Sequence, residues 1–206
     1  MVFAFSQEMG YIISSILWYC MIDICPEFLE PNCCEKIITL GKEKFWETPL
    51  YTLGWPEVLW RTAFGGWFDD TDLEDIIHIK DRIAKRTGIP RNHLEKAHFI
   101  MYEEGWEYQY HYDFFTPNNR WFEGIMQRGW QRTHTAIIYL NDTFTGWETD
   151  FSLFGVTIHP KTWKLVIWNN TAFDLMLDQN TLHAGLPVKK GVKFLLSIWI
   201  REGVFS

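Results

Sequence analysis

The spacing of hydrophobic positions along the chain changes near residue 95. Before it, "CCEKIITLGKEKF" and "DLEDIIHIKDRIAKRT" carry apolar residues at intervals of three and four, which predicts two amphipathic helices. Thr71 or Asp72 is predicted to cap the second helix, and Gly88 with Pro90 to end it. The run "ILWYCMIDIC" predicts a strand ahead of both helices. The segment between the helices, "LYTLGWPEVLWRTAFGGWFDD", is broken by Gly and Pro and is predicted to be irregular.

After Lys96, short β-prone runs follow one another: "AHFIMYEE", "YQYHYDFF", "HTAIIYLN", "GVTIHP", "WKLVIWNN" and "FLLSIWI". Helices followed by many short strands predict an α+β fold in which helices pack on a β-sandwich or barrel. We interpret residues 1–206 as a single domain, which suits a chain of this length. Within it, residues 1–95 are predicted to form a mainly helical support layer and residues 96–201 the β core.

Composition narrows the class of protein. The chain is 47% hydrophobic and 22% charged, which is typical of a globular protein. Its net charge of −7, without a long basic run, argues against a nucleic-acid partner. Four cysteines lie early and form no Cys-x-x-Cys pair, so we expect reduced thiols in a reducing compartment and no zinc site: Cys20, Cys25, Cys33 and Cys34.

One apolar stretch, residues 11–24, is a candidate for a membrane segment. It is too short and too polar to span a bilayer. The first basic residue is Lys36, so the start of the chain lacks the charged region of a signal peptide. We therefore expect a cytoplasmic protein without a membrane partner.

The candidate chemistry begins in "YQYHYDFF". His111 and Asp113 stand two residues apart, so on a strand their side chains point to the same face. A second histidine would complete a facial triad of two histidines and one carboxylate, which leaves open positions on Fe(II). The candidates are His134, His159 and His183, of which His183 is favoured because a turn and a return strand follow it. By itself, a His-x-Asp pair is more typical of a satisfied polar pair than of a metal site.

The return strand supplies a further candidate. Alternation places Lys193, Leu195, Ser197 and Trp199 on one face. A lysine on an otherwise apolar strand is costly to bury unless it is paired. An anionic ligand would serve as its partner.

Six segments, in order, resemble one known family. They are "PEFLEPNCCEKII", "RTAFGGWF", "YEEGWEYQYHYDFF", "TAIIYLNDTFTGWETDF", "IHPKTWKLVIWNN" and "LHAGLPVKKGVKFLLSIWI". Together they resemble the prolyl 4-hydroxylase-like branch of the Fe(II)- and 2-oxoglutarate-dependent dioxygenases, from residue 25 to residue 201. The resemblance implies a double-stranded β-helix, or jelly-roll, core with the N-terminal helices packed on one sheet.

The resemblance also implies roles for particular residues. His111, Asp113 and His183 would hold Fe(II) as metal ligands, with no catalytic residue beyond them. Lys193 would pair with the distal carboxylate of 2-oxoglutarate.

Five other residues match family positions in the cleft. Tyr102 and Thr149 would lie beside the distal carboxylate and add hydrogen bonds to it. Tyr108, Arg132 and Trp199 match positions around the peptide substrate, although structural packing explains these three equally well.

The activity implied by the resemblance is hydroxylation of an unactivated C–H bond, foremost of a peptidyl proline. O2 and 2-oxoglutarate would become CO2 and succinate, and ascorbate would keep the iron reduced. Three alternatives stay open: a free amino acid or other small molecule as substrate, a different protein side chain, or a degenerate binding module. One departure bears on the substrate, because Trp147 in "TGWETD" replaces the second glycine of the family's Gly-Gly-Glu-Thr. The sequence leaves the oligomeric state open.

Overall fold

The structure is a computed structural model that describes residues 22–46, 48–53, 59–118, 121–172 and 175–206. Its first element is strand β1, Ile22–Cys25. The rest of the strand predicted from "ILWYCMIDIC" lies outside the described residues. No helix in the described part of the chain is long and apolar enough to cross a membrane.

The two amphipathic helices form as predicted. Helix α1 is Pro31–Phe45, with proline in its first turn, where a missing N–H costs nothing. Helix α2 is Glu74–Thr87 and ends at Gly88, which adopts the left-handed conformation at φ 73°.

The predicted cap of α2 is wrong. The residue before the helix is Leu73, and no side chain caps the first turn. Asp72 instead accepts a hydrogen bond from the backbone N–H of Asp69 at 2.8 Å, so its carboxylate serves the preceding turn. Thr71 does not cap the helix either.

The segment between the helices is not irregular. It forms strand β2, Pro49–Leu53, paired with strand β3, Leu59–Phe68. Glycine in this segment argues against a strand in the sequence. The structure explains Gly66 by close packing, because a Cβ at this position would lie 2.5 Å from the ring of Phe45 on α1. The prediction of a mainly helical layer over residues 1–95 is therefore too simple, since β1, β2 and β3 join the main sheet.

The remaining elements follow in short succession. Beyond a 3₁₀ turn at Arg91–His93, they are β4 (Ala97–Tyr102), β5 (Tyr108–His111), α3 (Phe122–Met126), β6 (Arg132–Tyr139), β7 (Thr145–Gly146), β8 (Thr149–Phe151), β9 (Val156–Ile158), β10 (Leu165–Asn169), a second 3₁₀ turn (Gln179–Thr181), β11 (His183–Gly185), β12 (Val188–Lys190) and β13 (Lys193–Arg201).

The main sheet is antiparallel and curls on itself. Its strand order is β1-β10-β6-β13-β4-β3-β5-β11-β8-β9, with β2 beside β3, and β7 pairs separately with β12. Ile22 of β1 and Ile158 of β9, the strands at the two ends of this order, share one apolar cluster with Ile100 of β4 and Leu195 of β13, so the sheet curls around a common inner core. This is the α+β jelly-roll core that the resemblance implied.

Strand β13 separates two hydrophobic clusters. Its even-numbered residues pack with Ile37 of α1 and Ile79 of α2 on the outer face of the sheet. Leu195 faces the inner cluster instead. Burial of each large aliphatic side chain contributes about 1.5–3 kcal/mol, so the helices stabilise the outer face while the inner face is left to line a cavity.

Candidate active site

Three ligand-bearing side chains meet at the paired ends of β5 and β11. The strands place His111 opposite His183, and Asp113 lies two residues beyond the end of β5. One Asp113 oxygen is 3.8 Å from Nε2 of His111, and the other is 3.5 Å from Nε2 of His183. The three ligand atoms lie within 4.8 Å of one another, and no other such cluster occurs among the described residues. The His-Asp-His facial triad is therefore intact, although Asp113 follows the strand and is not part of it.

Backbone carbonyls orient both histidines. Nδ1 of His111 lies 2.7 Å from the carbonyl oxygen of Gln109, and Nδ1 of His183 lies 2.9 Å from that of Thr181. Because a carbonyl can only accept, each Nδ1 carries the proton and each Nε2 lone pair faces the centre of the triad. In each case the acceptor lies two residues before its histidine.

The electrostatics of the site favour the forms that bind metal. Burial, aided by His183, lowers the pKa of His111 to about 3. Burial alone would raise the pKa of Asp113, but His183, His111 and Arg132 together hold it below its usual value. A neutral imidazole and an ionised carboxylate are the states that metal ligation requires.

A second layer holds the carboxylate. The hydroxyl of Thr135 donates to Asp113 Oδ2 at 2.7 Å, and the amide of Asn170 donates to the Thr135 oxygen at 2.9 Å. The sequence analysis missed both residues, since neither stands near the triad in the chain. Their positions follow from β10 pairing with β6 inside the curled sheet.

Thr135→Val is expected to weaken binding of Mn(II) or Fe(II) by roughly 10- to 100-fold, as loss of such a partner does elsewhere. The side-chain volume is kept, but Asp113 loses its hydroxyl donor. Anaerobic calorimetric titration measures the change. Thr157→Val is the matched control, because Thr157 donates to the carboxylate of Asp150 at an exposed position. Equal metal affinity in both variants would contradict the supporting role of Thr135.

Lys193 lies fully buried against Trp147, a residue of the wall of the triad's cavity, and does not line that cavity itself. No hydrogen-bond acceptor reaches its Nζ within the described residues. Aromatic rings surround it instead, with the centroid of Trp147 at 3.2 Å and that of Tyr139 at 4.8 Å. Burial lowers the pKa of Lys193 well below its ordinary value, and Glu148 opposes this only in part.

Tyr102 and Thr149 both line the cavity that holds the triad. The Tyr102 hydroxyl accepts a hydrogen bond from Nε of Arg61 at 3.1 Å. The Thr149 hydroxyl lies 2.6 Å from the hydroxyl of Tyr139. The structure thus places both residues on the wall of the cavity that holds the triad, and their contact with the distal carboxylate stays a prediction.

Of the three residues assigned to the substrate, two line the cavity and one does not. Tyr108 and Trp199 line the cavity, and Tyr108 stacks on His111 with ring centroids 3.5 Å apart. Arg132 does not line it. Its guanidinium lies 3.8 Å above the ring of Trp199 and donates to buried Glu95 at 2.7 and 2.8 Å. Arg132 therefore stands behind Trp199, at the edge of a separate groove.

Arg61 is a cavity residue to which the sequence analysis gave no role. Its side chain lines the cavity, and its guanidinium lies 4.9 Å from the centroid of Tyr108. The signal is present in "RTAFGGWF", but the glycine pair in that segment favours irregular chain over a strand. The pairing of β3 with β5, through Arg61 and Tyr108, turns Arg61 towards the metal centre.

The other two candidate histidines lie elsewhere. Nδ1 of His134 lies 3.0 Å from the hydroxyl of Thr133, and burial lowers the pKa of His134 to about 4. His159 is exposed and lies near Glu148. Neither belongs to the triad, which confirms the choice of His183.

Comparisons with known proteins agree with this geometry. A family model described as "2OG-Fe(II) oxygenase superfamily" matches residues 97–201. Probable prolyl 4-hydroxylase 3 of Arabidopsis thaliana is 28% identical in an alignment 201 residues long, and the alignment covers 87% of this chain and 68% of that protein. The putative prolyl 4-hydroxylase of Acanthamoeba polyphaga mimivirus is 25% identical over 183 residues, covering 86% and 73%.

Among solved structures, the viral collagen prolyl hydroxylase from Paramecium Bursaria Chlorella virus-1, in its 2OG complex, superposes with a TM-score of 0.69. It is 24% identical and covers 88% of this chain and 96% of that one, which shows a shared fold. The matched family model, the intact triad and these relatives together show that the chain belongs to the 2OG-Fe(II) oxygenase superfamily. It is a prolyl 4-hydroxylase-like, 2-oxoglutarate-dependent dioxygenase.

Proposed function

We propose that this protein hydroxylates a peptidyl proline. The observation that carries the proposal is the facial triad in the same cavity as Tyr108 and Trp199, with an open groove lined by Arg132, whose guanidinium packs on Trp199. The relatives support it, since those compared above are named prolyl 4-hydroxylases.

The residues present fit the metal and the cosubstrate of the family. His111, Asp113 and His183 would hold Fe(II) from one side, because both Nε2 atoms and the carboxylate converge on one point. Lys193 is a buried amine without an acceptor among the described residues, which suits it to the distal carboxylate of 2-oxoglutarate. When bound, Fe(II) and 2-oxoglutarate use O2 to oxidise a C–H bond, with release of succinate and CO2.

The contribution of the chain is to position the reactants and to exclude water. Tyr102 and Thr149 present hydroxyl groups on the wall of the cavity, where they can bind a carboxylate. Apolar side chains such as Ile100, Ile137 and Leu195 complete the wall. A dry wall strengthens the polar contacts and protects a reactive centre from side reactions.

The groove behind Trp199 favours a peptide over a small molecule. It encloses about 460 Å³ and includes Arg132, Phe115 and Phe205. Trp67 stands at its edge, half exposed, and stacks on His98 with centroids 4.3 Å apart. Extended, proline-rich segments bind to aromatic surfaces of this kind, because their backbone is already ordered.

The proposal is tested by succinate formation. Purified protein is incubated with Fe(II), ascorbate and 2-oxoglutarate, with and without a proline-rich peptide, and His183→Ala serves as the inactive control. Succinate stimulated by the peptide, with a gain of one oxygen on proline, is the expected result. Slow succinate that the peptide leaves unchanged, but that a free amino acid stimulates, would replace the peptide by a small-molecule substrate. Ascorbate as the reductant and a cytoplasmic location remain part of the proposal.

A further inference from the structure

The side chain of Trp147 separates Lys193 from the cavity of the metal centre. Its indole lines the cavity together with Tyr102 and Thr149. The same ring covers the amino group of Lys193, with the ring centroid 3.2 Å from Nζ, and Lys193 itself does not line the cavity. A carboxylate that enters from the cavity therefore meets the indole before it meets Lys193.

The indole is closely packed in this position. Its Nε1 donates to the backbone oxygen of Trp106 at 3.1 Å, and its ring lies 4.1 Å from that of Tyr102. Gly185 makes room for it, because a Cβ at this position would lie 2.1 Å from the ring. These contacts stabilise the covering position of the side chain.

The backbone beneath the indole is strained. Trp147 has φ 62°, in the left-handed region that residues other than glycine rarely adopt. The family that the sequence resembles has glycine here, so the strain arises from the residue that this chain has introduced. The side-chain contacts hold the conformation in place against that cost.

The space left beside the indole is small. The cavity has about 50 Å³ of free volume, whereas sites for small organic molecules have roughly 300–1,000 Å³. Lys193 faces two aromatic rings, those of Trp147 and Tyr139. A bound carboxylate would stabilise the charge of the amino group more strongly than these rings do. Binding of a dicarboxylate at Lys193 thus requires the indole to move away from the amino group.

We propose that Trp147 is a gate on the cosubstrate site, closed over Lys193 in this structure and displaced when the distal carboxylate of 2-oxoglutarate binds. The inference rests on the proposed role of Lys193 and adds a positioning residue to it. The closed gate lowers the apparent affinity for 2-oxoglutarate, because only the open fraction of molecules binds.

Calorimetric titration of the Mn(II)-loaded full chain with 2-oxoglutarate tests the gate, since Mn(II) allows binding to be measured without turnover. Trp147→Gly is expected to bind roughly ten-fold more tightly, because the indole that covers Lys193 is removed and every molecule is open to the ligand. Trp147→Phe, with a smaller ring, is expected to have an affinity for 2-oxoglutarate between those of the unaltered protein and Trp147→Gly. It replaces the glycine variant in the test if that variant does not fold. Trp130→Gly is the matched control, since Trp130 also has a positive φ of 65° but is exposed and lies beside Gly203.

Movement of the indole has its own readout. Addition of 2-oxoglutarate is expected to increase acrylamide quenching of tryptophan fluorescence in the unaltered protein but not in Trp147→Phe. Unchanged affinity in Trp147→Gly, or unchanged quenching in the unaltered protein, would overturn the gate. If Lys193→Ala still loses affinity in that case, the proposed role of Lys193 stands. If Lys193→Ala binds 2-oxoglutarate normally, that role fails, and the gate fails with it.

Discussion

Asp113→Ala is expected to reduce iron-dependent succinate formation by about 10³-fold or more, because a metal centre supplies several kcal/mol of the catalysis. The carboxylate faces both histidines, at 3.8 and 3.5 Å, so its loss leaves only the two histidines as ligands at the site. Turnover is measured as succinate release, and metal content by titration with Mn(II).

The fold of the variant is expected to persist. Asp113 is a buried carboxylate, so its removal also removes a desolvation cost. Asp113→Asn keeps the shape without the charge and is expected to lose activity as well. Asp142→Ala is the control, since Asp142 pairs with Lys161 at 2.8 Å on a partly exposed surface. Full turnover in Asp113→Ala would rule out Asp113 as a metal ligand.

Lys193→Ala is expected to raise the 2-oxoglutarate concentration needed for half-maximal turnover by roughly 30- to 1,000-fold. Truncation of one partner of a buried charged pair costs about 2–4 kcal/mol or more, and each 1.4 kcal/mol is about ten-fold, which gives that range. The amine is fully buried and has no acceptor within the described chain, so the distal carboxylate would be the partner that compensates its burial. The affinity for Mn(II) is expected to remain, since Lys193 is not a ligand.

Two variants complete this test. Lys193→Met fills the space of the side chain and separates the loss of charge from the loss of packing. Lys190→Ala, at an exposed position of β12, is the control for lysine removal. An unchanged 2-oxoglutarate requirement in Lys193→Met would show that another cation, such as Arg61, binds the distal carboxylate.

The order of motifs along the chain predicts much of the site. His111 and Asp113 stand two residues apart, so their common direction is a local property of extended chain. Likewise, the alternation on β13 correctly places Leu195 and Trp199 towards the cavity. Local periodicity is sufficient in both places, because each argument concerns neighbours along one strand.

The errors have a common physical cause, which is contact between segments distant in sequence. The sequence does not predict strand β3, because Gly66 in it is explained only by Phe45, a residue of another element. The support of Asp113 by Thr135 and Asn170 depends on pairing of β10 with β6.

The sequence by itself determined the two amphipathic helices, the succession of short strands and the residues of the triad. These rest on local spacing and on motif order, which the chain carries without folding. Tertiary structure alone decided that Arg132 stands behind Trp199, that Arg61 reaches the cavity and that Trp147 covers Lys193. Each of these depends on how the curled sheet brings side chains that are remote in sequence into contact. No local pattern in the sequence predicts such contacts.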